Sequence, residues 1–171
     1  MGEILLTRPF PRVNGHLLCG EFPLQDLAAE FGTPLYVYDL KWIRSRVALF
    51  RDAFSEVDPV IAYSVKANGN LSLLRELSDL GCGADITSGG ELFRARSAGI
   101  EGMKIVFAGV GKSEDEIEFA LDEGIYAFNV ESHSELQRIN RVAERKGVTA
   151  RFGVRVNPGV IASTPHEYTA T

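Results

Sequence analysis

Val60-Ile61-Ala62-Tyr63-Ser64-Val65-Lys66-Ala67-Asn68-Gly69-Asn70-Leu71 is the stretch on which the fold turns. Its first half is an apolar, aromatic and β-branched run that ends in a lysine. Its second half is a cluster of turn residues closed by Asn70, which is able to cap a helix beginning at Leu71. A strand, a tight turn and a helix start therefore follow one another directly.

The same unit recurs along the chain. Leu35 to Tyr38, Gly83 to Ile86, Lys104 to Ala108, Ile125 to Val130 and Ala150 to Val156 read as further strands, interleaved with segments of 3.6-residue periodicity. None of these strands alternates cleanly between apolar and polar residues. Strands apolar on both faces belong in a parallel sheet covered by helices, and parallel neighbours need helical crossovers. Three helices open with the same Ser-x-x-Glu pattern, Ser88 with Glu91, Ser113 with Glu116 and Ser132 with Glu135, each predicting a reciprocal capping box. Gly81, Gly99, Gly124 and Gly147 fall where the helical periodicity stops, as residues that close a helix in the left-handed conformation do. This rhythm fits a (β/α)₈ barrel and an open doubly wound sheet equally well.

Composition excludes several classes. The 171 residues are 45% hydrophobic and 24% charged, which is the balance of a chain that builds a packed core. No apolar run approaches the ~20 residues of a membrane span, and the N-terminal Ile4-Leu5-Leu6 lacks the basic start and apolar length of a secretory signal. The expectation is a cytoplasmic protein with no membrane partner. A net charge of −5 with scattered basic residues argues against nucleic acid as a partner. The one dense basic group, Lys41, Arg44, Arg46 and Arg51, falls on the solvated face of a helix. Cys19 and Cys82 stand too far apart in sequence, and too few, for a zinc motif or a disulfide framework, so no metal site is expected.

Two glycine-rich readings fail. Gly109-Val110-Gly111-Lys112-Ser113 ends like a phosphate-binding P-loop, but Val106 stands where that loop needs its first glycine. A dinucleotide fingerprint would need glycine at Glu114. What remains is either a tight strand-to-helix turn or a loop at the mouth of a site.

Lys66 is the residue that points to chemistry. A lysine closing an apolar strand costs several kcal/mol in desolvation unless it is paired or has lost its proton. At the carboxyl end of a parallel sheet, where α/β folds build their sites, a lysine of lowered pKa is a nucleophile for a carbonyl and forms Schiff bases with pyridoxal phosphate. From position and residue type alone, a salt-bridged structural lysine and a Schiff-base lysine both stand.

Tyr63-Ser64-Val65-Lys66-Ala67-Asn68 resembles the cofactor-lysine motif of the fold-type III, alanine-racemase-like pyridoxal-phosphate enzymes. Gly83-Ala84-Asp85-Ile86-Thr87-Ser88-Gly89-Gly90-Glu91-Leu92 resembles the second motif of the diaminopimelate decarboxylase branch. Phe107 to Ser113, Phe128-Asn129-Val130-Glu131-Ser132 and Arg155-Val156-Asn157-Pro158 resemble the next three in order.

The resemblance implies an α/β fold, a parallel (β/α)₈ TIM-type barrel present here in part, with five to six of its eight strands. Residues 1–33 would belong to a separate β domain and 34–171 to the partial barrel. It implies pyridoxal 5′-phosphate attached to Lys66, with Asp85, Glu91 and Arg155 as cofactor-binding or supporting residues. The implied reaction is decarboxylation of an amino-acid substrate, meso-2,6-diaminopimelate, to L-lysine by a homodimeric full-length enzyme. The alternatives are a sister decarboxylase of ornithine, arginine or carboxynorspermidine type, or a non-catalytic cofactor-binding homologue.

Asp85 also reads as an ordinary turn residue before a helix, Glu91 as the partner of Ser88 in a capping box, and Arg155 as one half of a salt bridge in a buried strand. His133 reads as a surface residue, and His16 carries no signal. In the loop 164–171 the branch has Thr-His where this chain has Thr164-Pro165-His166, so no role passes to His166. The resemblance further implies that the family's later motifs follow Thr171. A whole barrel needs about 250 residues, so residues 1–171 alone are expected to be inactive and poorly soluble.

Overall fold

The computed structural model describes residues 9–159, and the loop 164–171 with His166 lies outside the described residues. The chain divides into two compact units, Met1–Pro59 and Val60–Thr171.

In the first unit, β1 (Arg12–Val13), β2 (His16–Cys19) and β3 (Phe22–Pro23) form a small antiparallel sheet. Two-residue loops set its register. Asn14-Gly15, with φ of 50° and 84°, joins Val13 to its partner His16, and Gly20 at φ 59° opens the loop between Cys19 and Phe22. Positive φ at these loop positions matches the right-handed twist of the paired strands, which is why Asn and Gly occupy them. Helices α1 (Leu24–Phe31) and α2 (Leu40–Ala53) follow, and Asp39 caps α2 by accepting the Trp42 N–H at 3.0 Å. Leu35 to Tyr38, predicted as a strand, joins no ladder among the described residues, and its aromatic side chains are exposed. β-type composition expresses a local preference, and a strand also needs a neighbour to pair with.

The second unit holds the parallel sheet. Strands β4 (Ala62–Ser64), β5 (Gly83–Ile86), β6 (Ile105–Phe107), β7 (Ala127–Val130) and β8 (Phe152–Val154) form one parallel sheet. Helices α3 (Leu71–Asp79), α4 (Gly89–Ser97), α5 (Glu114–Asp122) and α6 (His133–Lys146) connect successive strands. The strands lie in strict chain order, β4-β5-β6-β7-β8. A doubly wound sheet reverses its order at a switch point, whereas a barrel never does, so this sheet is part of a (β/α) barrel, open among the described residues.

The core lies between sheet and helices. Ala84, Ile86, Ile105, Phe107 and Phe128 from the strands meet Leu74, Leu92, Ile117, Ile139 and Val142 from the helices, all fully or almost fully buried. Each of these side chains larger than alanine contributes about 1.5–3 kcal/mol by leaving water. Strand β8 departs from the sequence expectation. It reads as buried, yet Phe152 and Val154 are 49% and 67% exposed, because β8 is the sheet edge and no described element covers it.

The helix signals are met unequally. Gly81, Gly99, Gly124 and Gly147 all take positive φ, and Asn70 caps α3 by accepting the N–H groups of Ser72 and Leu73. Of the three predicted capping boxes, only Ser113 with Glu116 is reciprocal. Ser88 and Ser132 each cap their helix through the side-chain oxygen, but Glu91 and Glu135 turn their carboxylates to other partners. Those partners define the site.

Candidate active site at the strand ends

Lys66 lies in a 3₁₀ turn, Val65–Ala67, that continues β4 past its last paired residue. Val65 is buried in the core and anchors this turn, while Lys66 is exposed. The predicted desolvation of its ammonium is therefore absent among the described residues, since the chain leaves the ladder after Ser64 and Lys66 falls in the exposed turn. No hydrogen bond or ion pair with a described residue holds the Lys66 amine. It lines an open cleft of about 420 Å³ together with Val65, Gly69, Asn70, Glu91 and Arg94.

Asp85 lies within β5, in register with Ser64 of β4, and accepts the Ser64 hydroxyl at 2.9 Å. It is half-buried, with only the 3₁₀ turn's Val65 between Ser64 and Lys66 in sequence. Glu91 stands in the first turn of α4, where its Oε2 accepts the Thr87 N–H at 2.6 Å and the Thr87 hydroxyl at 3.1 Å. It thus closes the β5–α4 loop one residue earlier than a capping box would, and the residue lines the Lys66 cleft. Arg94, one turn further along α4, donates to the Gly69 carbonyl at 3.2 Å and ties that helix to the turn after Lys66.

Arg155 follows β8 directly. Its N–H donates to the Val130 carbonyl at 2.9 Å, and its guanidinium meets Glu131 at 3.4 Å. Arg155 is exposed, contrary to the expectation of a buried strand, and its carboxylate neighbour is Glu131, whose Oε1 also accepts the Gly109 N–H at 2.9 Å. All four sequence-predicted residues thus lie at or beside the carboxyl ends of the strands, where barrels carry their sites. Lys66 and Glu91 share a cleft. Asp85 and Arg155 do not line it, and Arg155 sits by the opposite edge of the described sheet from Lys66.

Sequence reasoning missed four residues of this face: Ser64, Glu131, Lys112 and Glu135. Ser64 emerges only from the strand register. Lys112 carries a signal in the sequence, being a cation in a glycine-rich turn that is not a P-loop. It is 1% exposed, and its ammonium donates to Gly109 O, Asn129 O and Glu135 Oε1. Glu116 extends the pattern, accepting Gly89 N–H at 2.8 Å across from the neighbouring loop. Partial burial raises its pKa, but the N–H groups of Gly89 and Ser113, the Ser113 hydroxyl and the charge of Lys112 outweigh that and hold the carboxyl below the usual range.

The fit to pyridoxal phosphate rests on Lys66. Covalent attachment needs a primary amine that no carboxylate has claimed, with room beside it. The cleft volume falls in the ~300–1,000 Å³ range of small-molecule sites, and the amine is free of described partners. Among the described residues no helix is long and apolar enough to cross a membrane.

The profile of the pyridoxal-binding domain of pyridoxal-dependent decarboxylases matches residues 40–171, and the chain belongs to that family. Its cofactor is accordingly pyridoxal phosphate. The chain is 50% identical over 155 residues to the diaminopimelate decarboxylase of Neisseria meningitidis serogroup A, covering 91% of this chain and 38% of that protein. It is 49% identical over 158 residues to the corresponding protein of Aquifex aeolicus, covering 92% and 37%. The crystal structure of diaminopimelate decarboxylase from M. jannaschii in complex with L-lysine superposes with a TM-score of 0.84 at 39% identity, over 88% of this chain and 36% of that one. The chain spans under two fifths of the length of these relatives.

Proposed function

We propose that the protein carrying this chain decarboxylates meso-2,6-diaminopimelate at its D-configured centre, giving L-lysine and carbon dioxide, with pyridoxal phosphate attached to Lys66. The observation that carries this reading is a primary amine without a partner among the described residues, at the carboxyl end of the first parallel strand and beside Glu91 in an open cleft. Likeness to decarboxylases of this substrate, one of them crystallised with L-lysine, supports the choice of substrate and product.

When bound, pyridoxal phosphate supplies the electron sink for the pair left behind as the carboxylate departs. Lys66 holds the cofactor through its ε-amino group. With the cofactor bound, the Lys66 amine group would be placed to deliver the proton that replaces the lost carboxylate. Asp85, oriented by Ser64, would present a carboxylate at the strand end beside the lysine turn, able to accept a hydrogen bond from a bound group. Glu91, fixed by two hydrogen bonds from Thr87, gives the cleft an acceptor of defined direction. Arg155 adds a guanidinium to the strand-end face by the other edge of the described sheet, beside Glu131.

The same reading assigns residues 1–33 to a β domain and 34–171 to the barrel, and gives the whole enzyme a homodimeric assembly and a cytoplasmic location. The experiment is to supply the intact protein with meso-diaminopimelate, ornithine and arginine in parallel and measure carbon dioxide release. Fastest release from diaminopimelate, with L-lysine as product, is expected. Faster release from ornithine or arginine assigns the protein to a sister activity.

A further inference from the structure

Lys112 and Glu135 are the two buried charged residues among those described, with side chains 0% and 4% exposed and 2.7 Å apart. An ammonium has three protons to donate, and all three are used: Gly109 O at 2.6 Å, Asn129 O at 2.8 Å and Glu135 Oε1 at 2.7 Å. The second oxygen of Glu135 accepts the Glu131 N–H at 2.8 Å. The ammonium also lies 5.5 Å from the centre of the Phe107 ring. The set is closed, with no polar side-chain atom left over.

Its stability value alone does not account for such a pair. Two apolar residues of similar volume serve a core as well as or better than a buried ion pair, because desolvating two charges offsets most of their attraction. What apolar residues cannot do is fix backbone groups in one direction. Here the pair grips the loop after β6 at Gly109, the end of β7 at Asn129 and the first turn of α6. The held positions are those that matter for the mouth of the site. Glu131 lies between Asn129 and α6, and its carboxylate joins the Gly109 N–H to the Arg155 guanidinium. Gly109 itself takes φ 95°, a conformation open to glycine, with its N–H directed at Glu131.

We propose that Lys112 and Glu135 are a positioning pair for the reaction: by clamping Gly109, Asn129 and Glu131 they hold the Glu131 carboxylate where it orients Arg155 at the mouth. Neither residue touches the reacting atoms. The proposal rests on the assignment of Lys66 as the cofactor lysine, and its test separates the two.

In the intact wild-type protein, amide hydrogen exchange is followed at Gly109 and Glu131, with buried Val142 of α6 as reference. Protection of both amides within tenfold of Val142 is expected. Exchange at the rate of an unstructured peptide at either site overturns the proposal, whatever any variant does. The second arm is the variant Lys112→Met/Glu135→Gln, in which the glutamine oxygen still accepts the Glu131 N–H and its amide donates to a freed carbonyl. Expected are a retained cooperative melt, Gly109 protection reduced at least tenfold, and a half-saturating pyridoxal phosphate concentration raised at least tenfold by cofactor absorbance. A folded variant with wild-type protection and cofactor titration overturns the proposal. If the variant does not fold, the wild-type exchange still decides. If the wild-type protein takes up no pyridoxal phosphate, the Lys66 assignment fails while exchange at Gly109 and Glu131 continues to decide for or against the clamp.

Discussion

Gly83→Ala is expected to be severely destabilising although it adds one methyl group. Gly83 opens β5 opposite Ala62, and its N–H donates to the Ile61 carbonyl at 2.8 Å. A Cβ at this position would land on the Lys104 carbonyl oxygen, with the Lys104 carbonyl carbon and Cβ at 3.0 Å. The obstacle is backbone at the start of β6, so no rotamer change relieves it. Overpacking of a core typically costs about 1–3 kcal/mol. Moving the strand also strains the bond to Ile61, and a buried N–H left unpaired costs about 1–3 kcal/mol more. The sum, about 2–6 kcal/mol, is a large share of a net stability of about 5–15 kcal/mol. Gly90→Ala is the control. Gly90 lies in the first turn of α4 and a Cβ there meets only Ser88 Oγ at 3.9 Å. Alanine in a helix is favoured by up to about 1 kcal/mol, so this variant is expected to be neutral or slightly stabilised. Urea denaturation of the intact protein followed by circular dichroism reads both. A Gly83→Ala protein within about 1 kcal/mol of wild type, or level with Gly90→Ala, would refute the reasoning.

Asn70→Ala removes the acceptor for two N–H groups of α3 and is expected to lower stability by about 1 kcal/mol, measured by the same urea titration. Glu116 has a folded-state pKa below its ordinary 4.5, so its contribution is present above that value and is lost as pH falls through the lower folded value. Melting of wild type against Glu116→Gln from neutral pH down to about pH 3 should show the difference between them shrinking only below the ordinary glutamate range; a constant gap would contradict this. Asp85→Asn is expected to reduce kcat by about 10²-fold, the lower end of proton-transfer effects, with an unchanged melt. Steady-state rates with diaminopimelate check it.

The parallel sheet was legible because its strands are apolar on both faces and its helices carry Asn and Ser caps and closing glycines. Those signals are local and survive into the structure at Asn70, Ser113 and Gly147. The choice between barrel and doubly wound sheet was legible in the motifs that resemble the family and not in the local periodicity, since strand order is a property of tertiary pairing. The first-unit hairpin did have a signal: Asn14-Gly15 is the dipeptide that a two-residue hairpin loop favours, but its flanking strands are too short for periodicity to show. At the site, Lys66, Asp85, Glu91 and Arg155 stood out through their places in motifs. The partners did not, because Ser64 meets Asp85 across 21 residues and Lys112 meets Glu135 across 23, separations set by the sheet and visible only once it is folded. The identical Ser-x-x-Glu patterns diverged with their tertiary surroundings: Glu135 found a buried cation, which outcompetes the neutral N–H of a capping box, while Glu91 took the N–H and hydroxyl of Thr87.

The central claim is that Lys66 carries the cofactor, and reduction of the intact protein with borohydride in the presence of pyridoxal phosphate tests it most directly. Peptide mapping by mass spectrometry is expected to find the reduced pyridoxyl group on the peptide containing Tyr63-Ser64-Val65-Lys66, and to lose it in Lys66→Ala. A pyridoxyl group on Lys112 or another lysine, or wild-type levels of fixed cofactor in Lys66→Ala, would contradict it.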